Sequence, residues 1–212
     1  MLWLSDLHLG PGDDRDDFCA DDALLDLLRR AHAEAEKVGL LGDTADLLQA
    51  GLGEIERAHP RVCQAIEDYV SVIVRGNHDD VDTLFGKETW PFIVSRGVYY
   101  CHGHREFDPF GRAPLRWIAD VGTKAGALLE LLIDRNVDSW IEDRTARLLG
   151  RGRHGDSLEY QRKAVEFARR RGCRLIVMGH THQWAWAPPY ANCGHWTGPD
   201  AARRRDCIHV ED

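Results

Sequence analysis

The chain has 212 residues, a formal net charge of −8, and apolar and charged fractions of 43% and 29%. That length suits one domain with a real core, or one domain plus a small insertion. The acidic balance gives no global basic field to draw in nucleic acid, and no apolar run approaches the roughly 18 residues of a membrane span.

Charge placement says more than net charge. Asp13, Asp14, Asp16, Asp17, Asp21 and Asp22 crowd one segment, while arginines cluster around 144–153, 169–174 and 203–205. The six cysteines form no C-x-x-C pair, and their spacing outlines no disulfide framework. A reducing, cytoplasmic setting is therefore expected. Met1 to Leu4 is too short for a signal peptide and lacks a basic leader, so no targeting segment is expected.

In chain order, Met1 to Ser5 reads as a strand, followed by a polar loop from Asp6 to Cys19. Leucines at helical spacing predict a helix over Ala23 to Val38. Gly39 to Gly42 reads as a short buried strand ending at Asp43. A helix is expected over about Glu54 to Tyr69, then a β-branched strand over Val70 to Arg75 that ends in Gly76-Asn77-His78-Asp79. Trp90 to Ser95 and Val98 to Cys101 read as two strands around an Arg96-Gly97 turn. The second runs into His102-Gly103-His104. Two helical periodicities then fill residues 113 to about 150. A helix is expected over about Ser157 to Arg171, then a strand over Leu175 to Met178 ending in Gly179-His180-Thr181-His182. Short strands follow near Trp184 to Ala187 and Cys207 to Val210.

This order predicts an α/β (α+β) architecture of mixed sheets with helices outside, forming one domain over 1–212. A helical cap insertion at about 109–152 interrupts it just after His102 and His104. In layered folds of this kind, ligands gather at the carboxyl ends of strands, and here those ends are dense in Asp, His and Asn.

Asp6-Leu7-His8 places a carboxylate and an imidazole on one side of a strand-to-loop junction, a donor set suited to a divalent transition metal. Taken alone it also reads as a surface loop. Asp43 follows a glycine that permits a sharp turn, and equally reads as a helix N-cap. Asn77 offers a carbonyl oxygen. His78, its neighbour, diverges from it and suits a proton donor to a leaving group, with Asp79 orienting the ring. The bland reading is a polar turn. His102 with His104, and His180 with His182, are two H-x-H pairs, each following an apolar strand. Any one histidine is more often structural, but the ordered combination describes a two-metal site. Asp43 is the natural bridge between metals about 3.5–4 Å apart that activate a bridging hydroxide. No serine or cysteine nucleophile is then needed. An N/O-rich donor set without Cys suits Mn²⁺, Fe, Zn²⁺ or Ni²⁺.

Asp6-Leu7-His8, Gly42-Asp43, Gly76-Asn77-His78-Asp79, His102 and Gly179-His180-Thr181-His182 together resemble the signatures of the calcineurin-like metallophosphoesterases. The resemblance spans nearly the whole chain. It implies a four-layer α-β-β-α sandwich and two divalent metal ions, most commonly Mn²⁺. By that resemblance Asp6, His8, Asp43 and His182 hold one metal, and Asp43, Asn77, His102 and His180 the other. His78 matches the catalytic histidine and Asp79 its partner. The Ser5-to-Gly10 opening and the insertion after His102 are similar to the UDP-2,3-diacylglucosamine hydrolase branch, whose members cleave a pyrophosphate under a lipid-covering insertion. His78 and His104 depart from that branch, which typically carries Arg and Asp there.

The function expected is hydrolysis of a phosphodiester or pyrophosphate in a phosphorylated small-molecule or lipid-linked substrate. His104, Arg112 and Arg116 are candidate substrate contacts, with Lys124 nearby. Solvated surface is the plain alternative for the basic residues, and a helix cap for Asp108. A metal-dependent nuclease is the competing enzyme, disfavoured by the acidic Asp13-to-Asp22 cluster. A non-catalytic scaffold on the same fold is the third reading.

Overall fold

The structure, a computed structural model, describes residues 1–107, 157–204 and 206–211. Two mixed sheets carry it. The first has the order β11-β1-β2-β3-β5-β4, built from β1 (Leu2–Leu4), β2 (Val38–Leu41), β3 (Val70–Val74), β4 (Thr83–Leu84), β5 (Lys87–Trp90) and β11 (Ile208–His209). The second has the order β6-β7-β8-β10-β9, from β6 (Ile93–Ser95), β7 (Val98–Tyr100), β8 (Leu175–Met178), β9 (Ala185–Ala187) and β10 (Tyr190–Asn192). Each sheet has a parallel centre and antiparallel edges.

Period-two alternation sends successive side chains to opposite faces. Trp3, Leu41, Val74, Tyr100 and Val177 share the core between the sheets. Their neighbours Leu4, Leu40 and Ile73 pack outward with leucines of α1 (Asp21–Ala33) and with Val62 and Ile66 of α3 (Pro60–Tyr69). Tyr99, Ile176 and Met178 pack outward with Tyr160, Ala164 and Ala168 of α5 (Ser157–Arg171). The layers are therefore helix, sheet, sheet, helix. Strands covered on both faces must be apolar on both, which is why Leu175 to Met178 reads as an unbroken apolar run. Trp3 stacks on Tyr100 across the sandwich, with ring centroids 4.2 Å apart.

The helix expected over 54–69 is two helices, α2 (Leu52–Ala58) and α3. Pro60 lacks an N–H and its ring clashes with the preceding turn, so it starts a helix and cannot sit inside one. The strand expected over Trp90 to Ser95 is also divided. Trp90 ends β5 in the first sheet and Ile93 opens β6 in the second, with Pro91 between them. The first helix stops at Ala33, short of Val38, and Ala35 at φ 56° turns the chain into β2. Strands β4 and β10 are too short to leave a periodic signal. Two four-residue helices, α4 (His104–Phe107) and α6 (Ala201–Arg204), complete the described elements. The insertion expected at 109–152, with Asp108, Arg112, Arg116 and Lys124, lies outside the described residues.

The polar loop between β1 and α1 is anchored by His59 at the break between α2 and α3. Its Nε2 lies 2.7 Å from Asp16 Oδ2 and its Nδ1 2.9 Å from Asp21 Oδ1. Burial disfavours the charged ring, but hydrogen bonds to Asp16 and Asp21 outweigh it and push its pKa up to about 9.

Candidate metal centre

Parallel strands β1, β2, β3, β7 and β8 all end on one edge of the sandwich, so their following loops meet there. Asp6 and His8 follow β1, Asp43 follows β2, Asn77 and His78 follow β3, His102 follows β7, and His180 and His182 follow β8. Five of these residues hold left-handed backbone: Asp6 (φ 56°), His8 (51°), Asp43 (50°), His180 (72°) and His182 (55°). For residues with a Cβ, that conformation costs roughly 1–2 kcal/mol each. Only Ala35, Phe85 and Arg96 share it among the other described non-glycine residues. Strain is thus concentrated at this edge, as it is at functional sites.

Two close donor clusters result. Asp6, His8 and His182 offer ligand atoms within 4.8 Å of one another, and so do Asp43, His102 and His180. A third set, His8, Asp43 and His78, satisfies the same distance. Asp6 Oδ1 lies 3.1 Å from His182 Nε2, and His8 Nε2 lies 3.3 Å from His182 Nε2. Asp43 Oδ2 lies 3.7 Å from His8 Nε2 and 3.1 Å from His102 Nε2, so one carboxylate faces both groups. Asn77 Oδ1 lies 3.1 Å from His102 Nε2.

Proton positions at His102 show what these atoms fit. Its Nδ1 is 2.8 Å from the Leu41 carbonyl, which can only accept. The neutral ring therefore carries its proton on Nδ1 and turns the Nε2 lone pair toward Asp43 and Asn77, both oxygen acceptors. Convergent lone pairs repel unless a cation lies among them. An imidazole whose outer N–H is held by a backbone carbonyl is the usual arrangement of a metal-ligating histidine. Without a cation the site resolves this by protonation. Burial disfavours a charged His102, yet Asp43 and Asp6 prevail and push its pKa up to about 9. Burial likewise opposes the charged forms of Asp6 and Asp43, but the surrounding histidines hold both carboxyls below the ordinary range.

Asp79 does not orient His78, as the sequence had implied. Its oxygens accept backbone N–H groups of Gly76 (2.6 Å), Asp43 (3.1 Å) and Thr44 (2.6 Å), which ties the β2 and β3 loops together. The reason is geometric: the chain bends at Asn77-His78, and the Asp79 side chain folds back onto the Gly76 N–H across that bend. Burial, then the neighbouring Asp43 charge, push its pKa up to about 6. Asp46 occupies the orienting place. Its Oδ1 lies 3.0 Å from His78 Nδ1 and its Oδ2 3.5 Å from His8 Nδ1. Burial opposes its charge, but His78 and His8 hold the carboxyl below its ordinary range. The spacing Gly42-Asp43-Thr44-Ala45-Asp46 was the available signal for it.

His104 lies beside the second cluster, its ring centroid 5.3 Å from His102 and 6.3 Å from His180. Arg105 Nε donates to its Nε2 at 3.3 Å, which leaves the proton of the neutral ring on Nδ1. That Nδ1 is buried and has no hydrogen-bond partner among the described residues. Burial, reinforced by His102 and His180, pushes its pKa down to about 2. His195, which the sequence reading passed over, stacks on His182.

Residues 1–184 match the family model described as calcineurin-like phosphoesterase. The chain belongs to that family. The calcineurin-like phosphoesterase family uses divalent metals, and the donor clusters of this member suit them; it is a metal-dependent phosphoesterase. No curated protein matches the chain. Among solved structures, it is similar to a conserved uncharacterized protein, a predicted phosphoesterase, from Streptococcus pneumoniae TIGR4, with 14% identity and a TM-score of 0.41. That match covers 93% of this chain and 73% of the other. No described helix is long and apolar enough to cross a membrane.

Proposed function

We propose that this calcineurin-like phosphoesterase hydrolyses a phosphodiester or pyrophosphate bond with two divalent ions, most commonly Mn²⁺. Asp6, His8, Asp43 and His182 hold one, and Asp43, Asn77, His102 and His180 the other. The observation that carries this reading is the convergence of acceptor atoms on both sides of Asp43. When bound, such a pair supplies Lewis acidity at the phosphoryl oxygens and makes water nucleophilic near neutral pH.

The chain's own residues do the rest. Asp43 is shared between the two subsites, and its Oδ1 accepts the His78 backbone N–H at 2.9 Å, which fixes its carboxylate. His78 holds a proton at Nε2 and passes it to the leaving-group oxygen, while Asp46 at Nδ1 stabilises the imidazolium. Asp79 keeps the β2 and β3 loops in register. His104 presents an N–H beside the His102 and His180 rings that suits an anionic oxygen. The substrate we favour is a nucleotide- or lipid-linked phosphodiester or pyrophosphate. The net charge of −8 disfavours DNA. Free thiols at all six cysteines support a cytoplasmic setting.

The test is hydrolysis of bis-p-nitrophenyl phosphate by the purified protein with Mn²⁺, extended to UDP-sugar, lipid pyrophosphate, nucleotide and DNA substrates. Asp43→Asn is expected to abolish turnover. Full activity in that variant would refute the shared-carboxylate arrangement.

A further inference from the structure

One more imidazole reaches the centre. His195 lies nearly parallel to His182, with centroids 5.0 Å apart and planes 12° apart. Its Nδ1 lies 2.7 Å from Thr197 Oγ1, which fixes the ring about its own side-chain axis.

The backbone carrying His195 is a strap across the loops of one donor cluster. Asn192 Nδ2 donates to the Gly179 carbonyl at 2.6 Å and to Thr181 Oγ1 at 3.1 Å, holding the loop of His182. The Trp196 N–H donates to the Asp6 carbonyl at 3.0 Å. Asp206 holds the strap from outside, its carbonyl accepting the Trp196 indole N–H at 2.8 Å. Segment 192–197 therefore ties together the loops that carry Asp6 and His182, and lays one ring on the His182 ring. That ring needs support. It is the most exposed of its cluster, 13% against 9% for His8 and 0% for Asp6, and its plane decides where Nε2 points.

We propose that His195 is a positioning residue for the subsite of Asp6, His8 and His182, holding the His182 ring so that Nε2 faces the ion. The proposal rests on the reading that these side chains hold a divalent ion. It makes the two subsites unequal, because the strap's hydrogen bonds run to the loops of Asp6 and His182 and its ring lies on His182.

Calorimetric titration with Mn²⁺ alone tests this, on wild type, His195→Asn, His195→Phe and Asp6→Asn, each checked for folding by circular dichroism. His195→Asn keeps a polar partner for Thr197 and removes the aromatic face. It is expected to weaken one of the two ions roughly 10- to 100-fold, the range for residues that orient metal ligands, and to leave the other unchanged. His195→Phe keeps the face, and near wild-type affinity is expected. Wild-type binding by His195→Asn, or equal weakening by His195→Phe, overturns the proposal. Wild-type binding by Asp6→Asn overturns the underlying site assignment as well, and so separates the two failures.

Discussion

Asp46 has two buried oxygens and two imidazoles to serve, and the geometry divides them. One oxygen sits 3.0 Å from His78 Nδ1, the other 3.5 Å from His8 Nδ1. A carboxylate at that place fixes the orientation of the His78 ring. Asp46→Asn keeps the shape and removes the charge. The expected result is a fall in kcat of about 10²-fold, the low end for loss of general acid help, with both Mn²⁺ ions still bound. Unchanged kcat would remove Asp46 from the proton-donor pair. Loss of metal instead would mean that its contact with His8 is the one that matters. The ligand-type residues were legible because each lies in a short motif right after an apolar strand. The partner of His78 was not, since Asp79 is adjacent in sequence while Asp46 reaches the ring only after β2 and β3 pair.

At the scale of elements, strand ends and loops were legible wherever periodicity was strong, and lost where single residues interrupt it. Pro60 and Pro91 divided a helix and a strand that their apolar patterns had joined. Glycine also acts here at a distance. A Cβ at Gly76 would strike the Asp43 carboxylate, and one at Gly179 would strike Ser5 and Asp6, so both loops need bare backbone to bring their neighbours in. His59 is the other long-range device. It joins the break between α2 and α3 to the acidic loop after His8, through Asp16 and Asp21. Its folded pKa of about 9 lies above the ordinary histidine value. Its stabilisation is thus fully present below about pH 6.5 and is lost as pH rises through about 9. His59→Gln removes the charged partner of Asp16, whose side chain is only 4% exposed and keeps only the Gly12 and Phe18 backbone N–H groups among its described partners. Breaking such a buried pair costs about 3 kcal/mol, which for a domain of this size lowers Tm by on the order of 6–12 °C. Melting curves across pH should show the gap between wild type and His59→Gln widest at pH 6.5 and closing above pH 9. A gap independent of pH would show that the ring acts by packing and not by charge.

For the whole molecule, the sandwich and its site depend on the same alignment. The first sheet delivers Asp6, His8, Asp43 and Asn77, and the second delivers His102, His180 and His182. Between them the contact core of Trp3, Leu41, Tyr100 and Val177 sets the spacing of the two strand edges. Each proposed ion takes donors from both sheets, so metal binding should clamp the sandwich across its open edge. An ion that binds the folded state alone, at a hundred times its Kd, adds about 2.7 kcal/mol. At this size that raises Tm by roughly 5–11 °C. Mn²⁺ added to chelator-treated protein should give that rise, and EDTA should reverse it. Asp43→Asn, which weakens the carboxylate shared by both ions, should show a much smaller one. A wild-type Tm that ignores both Mn²⁺ and EDTA would mean that the converging carboxylates and imidazoles are held by protons alone, and the two-ion assignment would fall with it.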